Sequence, residues 1–440
     1  MLDFLFIYEH INRELDSLCF LKVLLEDMGY SVELMNSQDY SQDYRKKEKQ
    51  PKVVGIFSVY NENSIRYYAT ACANNRTKIF NFQWEQIFSK TDIDSGFVTP
   101  KGMQKEIVQL CWGEYSQKRL TDAGVKNAPI TGAMHLDFLT NQLEGYYKNK
   151  DTIKDEYLIS SDKILLYISS FSFAAMNEIE RKTMDKIMGS SNSELQEHEI
   201  KQKNVILDYL STFAREHKEY TVVYRPHPGE RTDCILEKLS LEIPNFRIIY
   251  DESVKQWIKI ADNIVLSNST TIVEAFFSNK NCVCLRPFGL ETEYDAMFYE
   301  NCRYVNNYED LEQCIISGCL SFPIEVDEIA KYYDRKVFGH SCKATAEVLE
   351  NLIQTNKLDT NIPMDHATIK TILKRFIHLF VYKHNIRLDF LPNSVYIKKW
   401  LNNYWYFRKK VQYEIASQET IDSICHKIRS ILKNENTHTC

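Results

Sequence analysis

Short apolar runs alternate with amphipathic stretches along the first two-thirds of the chain. Leu5–Tyr8 is apolar throughout and reads as a strand. Leu15–Met28 repeats its apolar residues at helical spacing (Leu15, Leu18, Cys19, Val23, Leu24) and stops at Gly29, a suitable C-cap. The same reading predicts strands at Ser31–Leu34, Val53–Phe57, Lys78–Phe82, Val108–Trp112 and Ala128–Thr131, with a helix over Ser116–Ala123 that ends at Gly124. Strands spaced by helical segments imply a parallel sheet with helices on both faces. The stretch Gln142–Ser161 is polar and weakly patterned, and reads as an interdomain linker. A second series follows, with strands at Ile164–Ile168, Tyr220–Tyr224, Arg247–Tyr250, Asn263–Ser267 and Cys282–Leu285, while Gly189–Gln202 reads as a polar surface insertion. From about Asp327 the pattern turns helical.

The expected organisation is therefore α/β, with two doubly wound Rossmann-like domains at 1–145 and 160–350 and a helical region at 360–440. A length of 440 residues suits two such domains plus an appendage, since single cores stop growing at ~250–300 residues. The last region differs in composition. His366–Val411 holds ten Lys or Arg against one acid, Asp389, together with ten aromatics that include Trp400 and Trp405. Two readings stand side by side. Basic and aromatic residues suit attachment to an anionic inner-leaflet membrane surface. Alternatively, Ile369, Leu373, Phe376, Ile377 and Phe380 have the spacing of a helix face packed on the core.

The whole-chain net charge of −6 argues against a general nucleic-acid binder. The twelve cysteines include no C-x-x-C pair and read as free thiols of a reducing cytosol. Met1-Leu-Asp-Phe-Leu lacks the basic start and cleavage site of a secretion signal, and no run of about 18 apolar residues occurs, so the expected location is cytoplasmic, with peripheral membrane attachment open.

The sharpest chemical signal is Val222-Val-Tyr-Arg-Pro-His-Pro-Gly-Glu230, a strand that ends in a turn bearing Arg225 and His227, each beside a proline that restricts the backbone. Ligands of parallel α/β sheets bind at the carboxyl ends of strands. There a guanidinium fork and an imidazole suit a phosphate leaving group. A second strand-to-helix turn carries Ser267, Ser269, Thr270 and Thr271, followed one turn later by Glu274, where backbone N–H groups favour an anion. Ser170 follows the first strand of the second series. In the first domain, Glu9 follows the first strand and could deprotonate an acceptor hydroxyl, with Arg13 beside it; Trp84, Glu85 and His135 follow other strands and are candidate acceptor residues. No G-x-G-x-x-G, Walker loop, H-E-x-x-H or G-x-S-x-G is present. The Asp92-Ile-Asp94 pair lies in a polar stretch away from the donor loops and is not read as a metal site.

Taken together, Glu9…Arg13-Glu-Leu-Asp, Trp84-Glu-Gln, Trp112-Gly…Gly132-x-x-x-x-Asp137, Arg225-Pro-His-Pro and Ser267-x-Ser-Thr-Thr resemble bacterial surface-carbohydrate enzymes of the GT-B type, related to capsule Kdo transferases and CDP-glycerol glycerophosphotransferases. The resemblance spans roughly residues 1–350. It implies two domains facing a cleft, a CMP-, CDP- or UDP-linked sugar or polyol as donor, a glycan or lipid-linked acceptor, and no metal or other cofactor. It also implies that His227, Ser269 and Thr270 bind the donor's phosphates. His135 stands where that family usually has a basic residue. A UDP-GlcNAc 2-epimerase-like enzyme shares the fold, but carries Ser-Gly-Gly where this chain has Ser267-Asn-Ser. A noncatalytic carbohydrate-assembly scaffold is the third reading; nucleotide binding separates it from both enzymes.

Overall fold

The computed structural model describes residues 2–37, 39, 50–59, 61–72, 78–96, 98–188, 191, 193–230, 233–290, 293–319, 321–355, 364–384 and 414–438. The expected basic and aromatic stretch beyond His384, up to Val411, lies outside them. By contacts the chain divides into two units, one built from residues 1–86, 96–137 and 331–440 and the other from 87–95 and 138–330.

The first unit is a parallel five-stranded sheet made of β1 (Leu2–Tyr8), β2 (Val32–Asn36), β3 (Pro51–Ile56), β4 (Lys78–Asn81) and β5 (Val108–Gln109), in the order β2-β1-β3-β4-β5. Burial on both faces explains the near-continuous apolar runs in β1 and β3. Phe6, Phe80 and Phe82 meet edge to face above β3. Gly55 is required under them, because a Cβ there would lie 2.5 Å from the Phe80 ring and 2.6 Å from that of Phe82. The expected strand at Ala128–Thr131 shrinks to one bridge between Cys111 and Ile130.

The second unit repeats the plan with β6 (Lys163–Ile168), β7 (Tyr220–Arg225), β8 (Phe246–Ile248), β9 (Asn263–Leu266) and β10 (Asn281–Cys284), all parallel, in the order β10-β9-β6-β7-β8. Its core gathers Tyr167, Tyr224, Phe213, Phe246 and Leu236 around β6 and β7. Two expectations are corrected here. The presumed insertion is the start of one continuous helix, Ser193–Glu216, which buries Gln202 and Lys203, the lysine through ion-pair partners distant in sequence. The presumed linker is also folded. It forms the helix Lys150–Glu156, capped by Asn149, with Ile153 buried and Tyr157 packed edge-on against Trp257. Its high polarity serves ion pairs such as Lys148 with Glu156 and Glu252, both 2.7 Å.

In each sheet the strand order reverses at one point: between β1 and β3 in the first unit, and between β6 and β9 in the second. Loops leaving the carboxyl ends of strands diverge at such a switch point and open a crevice for ligands.

Candidate functional site

In the second unit the switch point is bordered by Ser169–Phe173 after β6 and Ser267–Thr271 after β9, with Arg225–Glu230 after β7 alongside. Glu230 ties two of these loops together. Its carboxylate is fully buried. It accepts hydrogen bonds from Ser169 Oγ, the Tyr224 hydroxyl (2.8 Å) and the His227 backbone N–H (3.2 Å), and pairs with Lys203 at 2.8 Å. Lys203 also meets Asp233 at 2.7 Å. Burial alone would lower the Lys203 pKa, but Glu230 and Asp233 outweigh it and the net shift is upward. Glu199 accepts the N–H groups of Phe173 (2.7 Å) and Ala174 (2.9 Å), and burial raises its carboxyl to about 8. Glu230, Lys203 and Glu199 were not singled out in the sequence. The Glu199-x-x-x-Lys203 spacing on one helix face and the Glu230 that follows His-Pro-Gly were the available signals.

His227 is exposed, and its ring is set by its own turn: Nδ1 accepts the Gly229 N–H at 3.0 Å. A neutral ring so bonded carries its proton on Nε2, which makes that atom a donor. Arg225 turns another way. Two of its nitrogens donate to the carbonyls of Asp251 and Glu252, and burial lowers its pKa to about 10. Its fork thus holds the loop after β8.

The hydroxyl-rich turn divides in two. Ser267 is fully buried, within 3.4 Å of the Tyr167 hydroxyl, and belongs to the core. Ser269 and Thr271 bond to each other at 2.9 Å, Tyr299 donates to the Ser269 carbonyl at 2.7 Å, and Thr270 is exposed. The helix that follows, Ile272–Phe277, has only six residues, so its dipole is weaker than the sequence argument assumed. Burial raises the Glu274 carboxyl, opposed by Lys255. Ser170 is half-buried beside the Glu230 network.

In the first unit, the chain leaving β1 winds a π-helical turn, Ile11–Leu15, a local underwinding that recurs at functional sites. The turn buries Glu14, whose carboxylate accepts the Glu9 N–H at 2.7 Å and two Arg13 nitrogens at 2.7 and 2.9 Å. Burial raises the Glu14 carboxyl and Arg13 opposes it. Arg13 also reaches Glu85 at 2.7 Å and Glu9 at 3.8 Å. Glu9, Arg13, Glu14 and Glu85 therefore form one charged group at the carboxyl edge, with the Glu9 side chain 45% exposed. His10 bonds Glu414 at 3.4 Å, and burial, which lowers its pKa, is outweighed by Glu414 and Glu9 together, so the net shift is upward. Glu414 also accepts the Ile11 N–H at 2.8 Å. At the ends of β3 and β4, Ser58 Oγ, Gln83 Oε1 and Trp84 Nε1 are buried without a hydrogen-bond partner among the described residues. Buried polar atoms are rarely left so, and three together mark a polar surface suited to a ligand or solvent.

The Trp112-Gly…Gly132…Asp137 elements do different work. Asp137 accepts the Ser341 and Cys342 N–H groups at 3.0 and 2.7 Å, capping the helix Ser341–Thr355. A Cβ on Gly132 would sit 2.5 Å from Ser341 Oγ, and one on Gly113 would sit 2.6 Å from the Tyr332 carbonyl. Trp112 stacks on Tyr333 and meets His135 edge-on. These residues seat the returning segment on the first unit.

Asp92 closes a capping box with Ser89. Among the described residues, the group with metal-ligand spacing is Glu216, His217 and Glu312, at the opposite end of β7 from the candidate loops.

No protein-family model and no curated protein matches the sequence. Solved structures match the fold. The wall teichoic acid polymerase TagF aligns with 80% of this chain and 89% of its own, at a TM-score of 0.51 and 12% identity. The UDP-GlcNAc 2-epimerase of Methanocaldococcus jannaschii aligns with 80% and 99%, at 0.50 and 12%. A further UDP-N-acetylglucosamine 2-epimerase gives 80% and 96%, at 0.50 and 11%. At such identities the likeness is one of architecture: two parallel five-stranded sheets with covering helices, followed by a helical C-terminal region, make this chain α/β and GT-B-like.

Proposed function

We propose that the protein is a metal-independent transferase that moves a sugar or polyol phosphate from a CMP-, CDP- or UDP-linked donor to a hydroxyl of a glycan or lipid-linked acceptor in bacterial surface-carbohydrate synthesis. The observation that carries this reading is the Glu230 clamp, which fixes Ser169 and the His227 turn side by side at a switch point. Such a crevice is where α/β sheets take nucleotides. In this reading the Nε2–H of His227, with the hydroxyls of Ser170, Ser269 and Thr270, stabilises the departing phosphate. Glu9, solvent-exposed and held by Arg13, takes the proton of the acceptor hydroxyl as its oxygen forms the new bond. Arg225 and Ser267 support the donor loops from behind, and Trp84 with Glu85 contacts the acceptor. The similarity in fold to a wall teichoic acid polymerase and to UDP-GlcNAc 2-epimerases is compatible with either chemistry on this architecture. Ser267-Asn-Ser in place of Ser-Gly-Gly favours transfer.

Calorimetric titration with CMP, CDP and UDP tests this reading. His227→Ala should weaken the preferred nucleotide by roughly 1–3 kcal/mol, the worth of a charge-assisted contact. No binding by the wild-type protein would leave the scaffold reading. Donor conversion to an epimer without acceptor would replace transfer by epimerisation.

A further inference from the structure

Among the described residues, the helix His366–Lys383 is seated on the first unit by one side. It packs along the helix Glu62–Cys72, with Thr368 fully buried. Arg66 donates to Asp365 and to the Thr368 hydroxyl, both at 2.6 Å. Its other side carries Ile369, Leu373, Phe376, Ile377 and Phe380, spaced so that all five fall in one arc of roughly 100°. The packed-core reading of these residues is corrected by the structure: they are between 44% and 58% exposed. Lys370 and Lys374 lie beside that arc and are exposed, and the helix contains no acid. Thus a short amphipathic helix is already docked through its polar and inner side, and still presents large apolar side chains outward.

We propose that this outward face lies on an anionic lipid bilayer, with the five apolar side chains in the headgroup–acyl boundary and the lysines on the lipid phosphates. Charge identifies the occupant. A protein partner or a second copy would need acids opposite the lysines. A second copy would instead bring these same lysines against one another, a like-charge contact. An anionic bilayer is complementary in both respects, apolar beneath and negative at the level of the lysines. At 18 residues the helix is about 27 Å long and lies flat, and no described helix is long and apolar enough to cross a membrane. The inference stands apart from the transferase reading, since nucleotide binding plays no part in it.

The test is co-sedimentation of the full chain with vesicles of phosphatidylcholine alone or mixed with phosphatidylglycerol. Wild type should partition onto the anionic vesicles and dissociate as salt rises. Phe376→Ser/Phe380→Ser should lower the partition coefficient at least tenfold, and Lys370→Glu/Lys374→Glu should lower it by about tenfold or more on anionic vesicles only. Melting temperatures and nucleotide affinity should stay unchanged, because these side chains are exposed. Equal vesicle binding by both variants would overturn the proposal, as would a wild-type protein that ignores vesicles. Concentration-dependent self-association abolished by Phe376→Ser/Phe380→Ser would replace it with a dimer face.

Discussion

The carboxyl edges of the two sheets solve the same topological problem with different polar chemistry, although Asn268 Oδ1 after β9 is also buried without a hydrogen-bond partner among the described residues. In the second unit, the loops after β6 and β7 are joined through a buried carboxylate whose neighbours are a lysine, a tyrosine, a serine and a backbone amide. In the first unit, the charged group around Glu9 has Glu14 buried and Glu9 open to solvent, and three buried polar atoms at the ends of β3 and β4 have no hydrogen-bond partner among the described residues. A network completed by the protein itself fixes loop positions before any ligand arrives. An edge with unused donors and acceptors is completed by what binds there. Under the proposed transferase function, the edge of the second unit would hold a fixed nucleotide phosphate and that of the first unit a variable acceptor.

The largest effect should come from breaking the second unit's network. Lys203→Met leaves the Glu230 carboxylate buried without its cation, and losing one partner of a buried pair costs about 3–5 kcal/mol. Chemical denaturation should show that loss, and nucleotide affinity should fall with it as the His227 turn loosens. The double variant Lys203→Met/Glu230→Gln should regain part of the stability, since the fully buried charge is gone and Asp233, the other partner of Lys203, is 33% exposed. If Lys203→Met matches wild type in both measurements, the network does not preorganise these loops.

Glu9→Gln probes the other edge, and should behave in the opposite way. Its side chain is 45% exposed, so stability and nucleotide affinity should hold, while turnover falls by ~10²–10⁴ through loss of the base. A stopped or slowed reaction with intact donor binding would sharpen the contrast between an edge built for binding and one built for chemistry. Full turnover would remove Glu9 from the mechanism.

The sequence disclosed strands and sheet-edge loops because fully buried parallel strands are apolar without interruption and end in turn residues. It misassigned polar segments whose charges are satisfied by the fold. Gly189–Gln202 looked like an insertion because the partners of Lys203 and Glu199 lie on other loops. Gln142–Ser161 reads as a linker because two of its ion-pair partners, Glu252 and Asp262, lie about 100 residues away. The motif residues divided for the same reason. Glu9, His227 and Thr270 stand exposed at their edges, whereas Ser267 is core and Asp137 caps a helix 204 residues later. Local pattern gives the side of a strand end on which a residue falls. Only long-range packing decides whether its side chain faces solvent or another loop.

A further effect expected is a pH dependence of the second unit that belongs to Glu199. Burial raises its carboxyl from an ordinary 4.5 to about 8, with Glu230 adding to the shift and Lys203 and the Phe173 and Ala174 amides opposing it. Between those values the folded chain keeps a proton that the unfolded chain has shed. Stability therefore falls as pH rises through this window, and levels off above the folded value. Melting curves taken from pH 5 to pH 9 should show wild type losing stability relative to Glu199→Gln, with the two variants converging toward the acidic end. The amide of the glutamine keeps an oxygen for the Phe173 and Ala174 N–H groups, so the comparison isolates the charge from the hydrogen bonds. Parallel curves for the two proteins would mean that Glu199 ionises at an ordinary pH, and that the loop after β6 is more open to water than the rest of the Glu230 network.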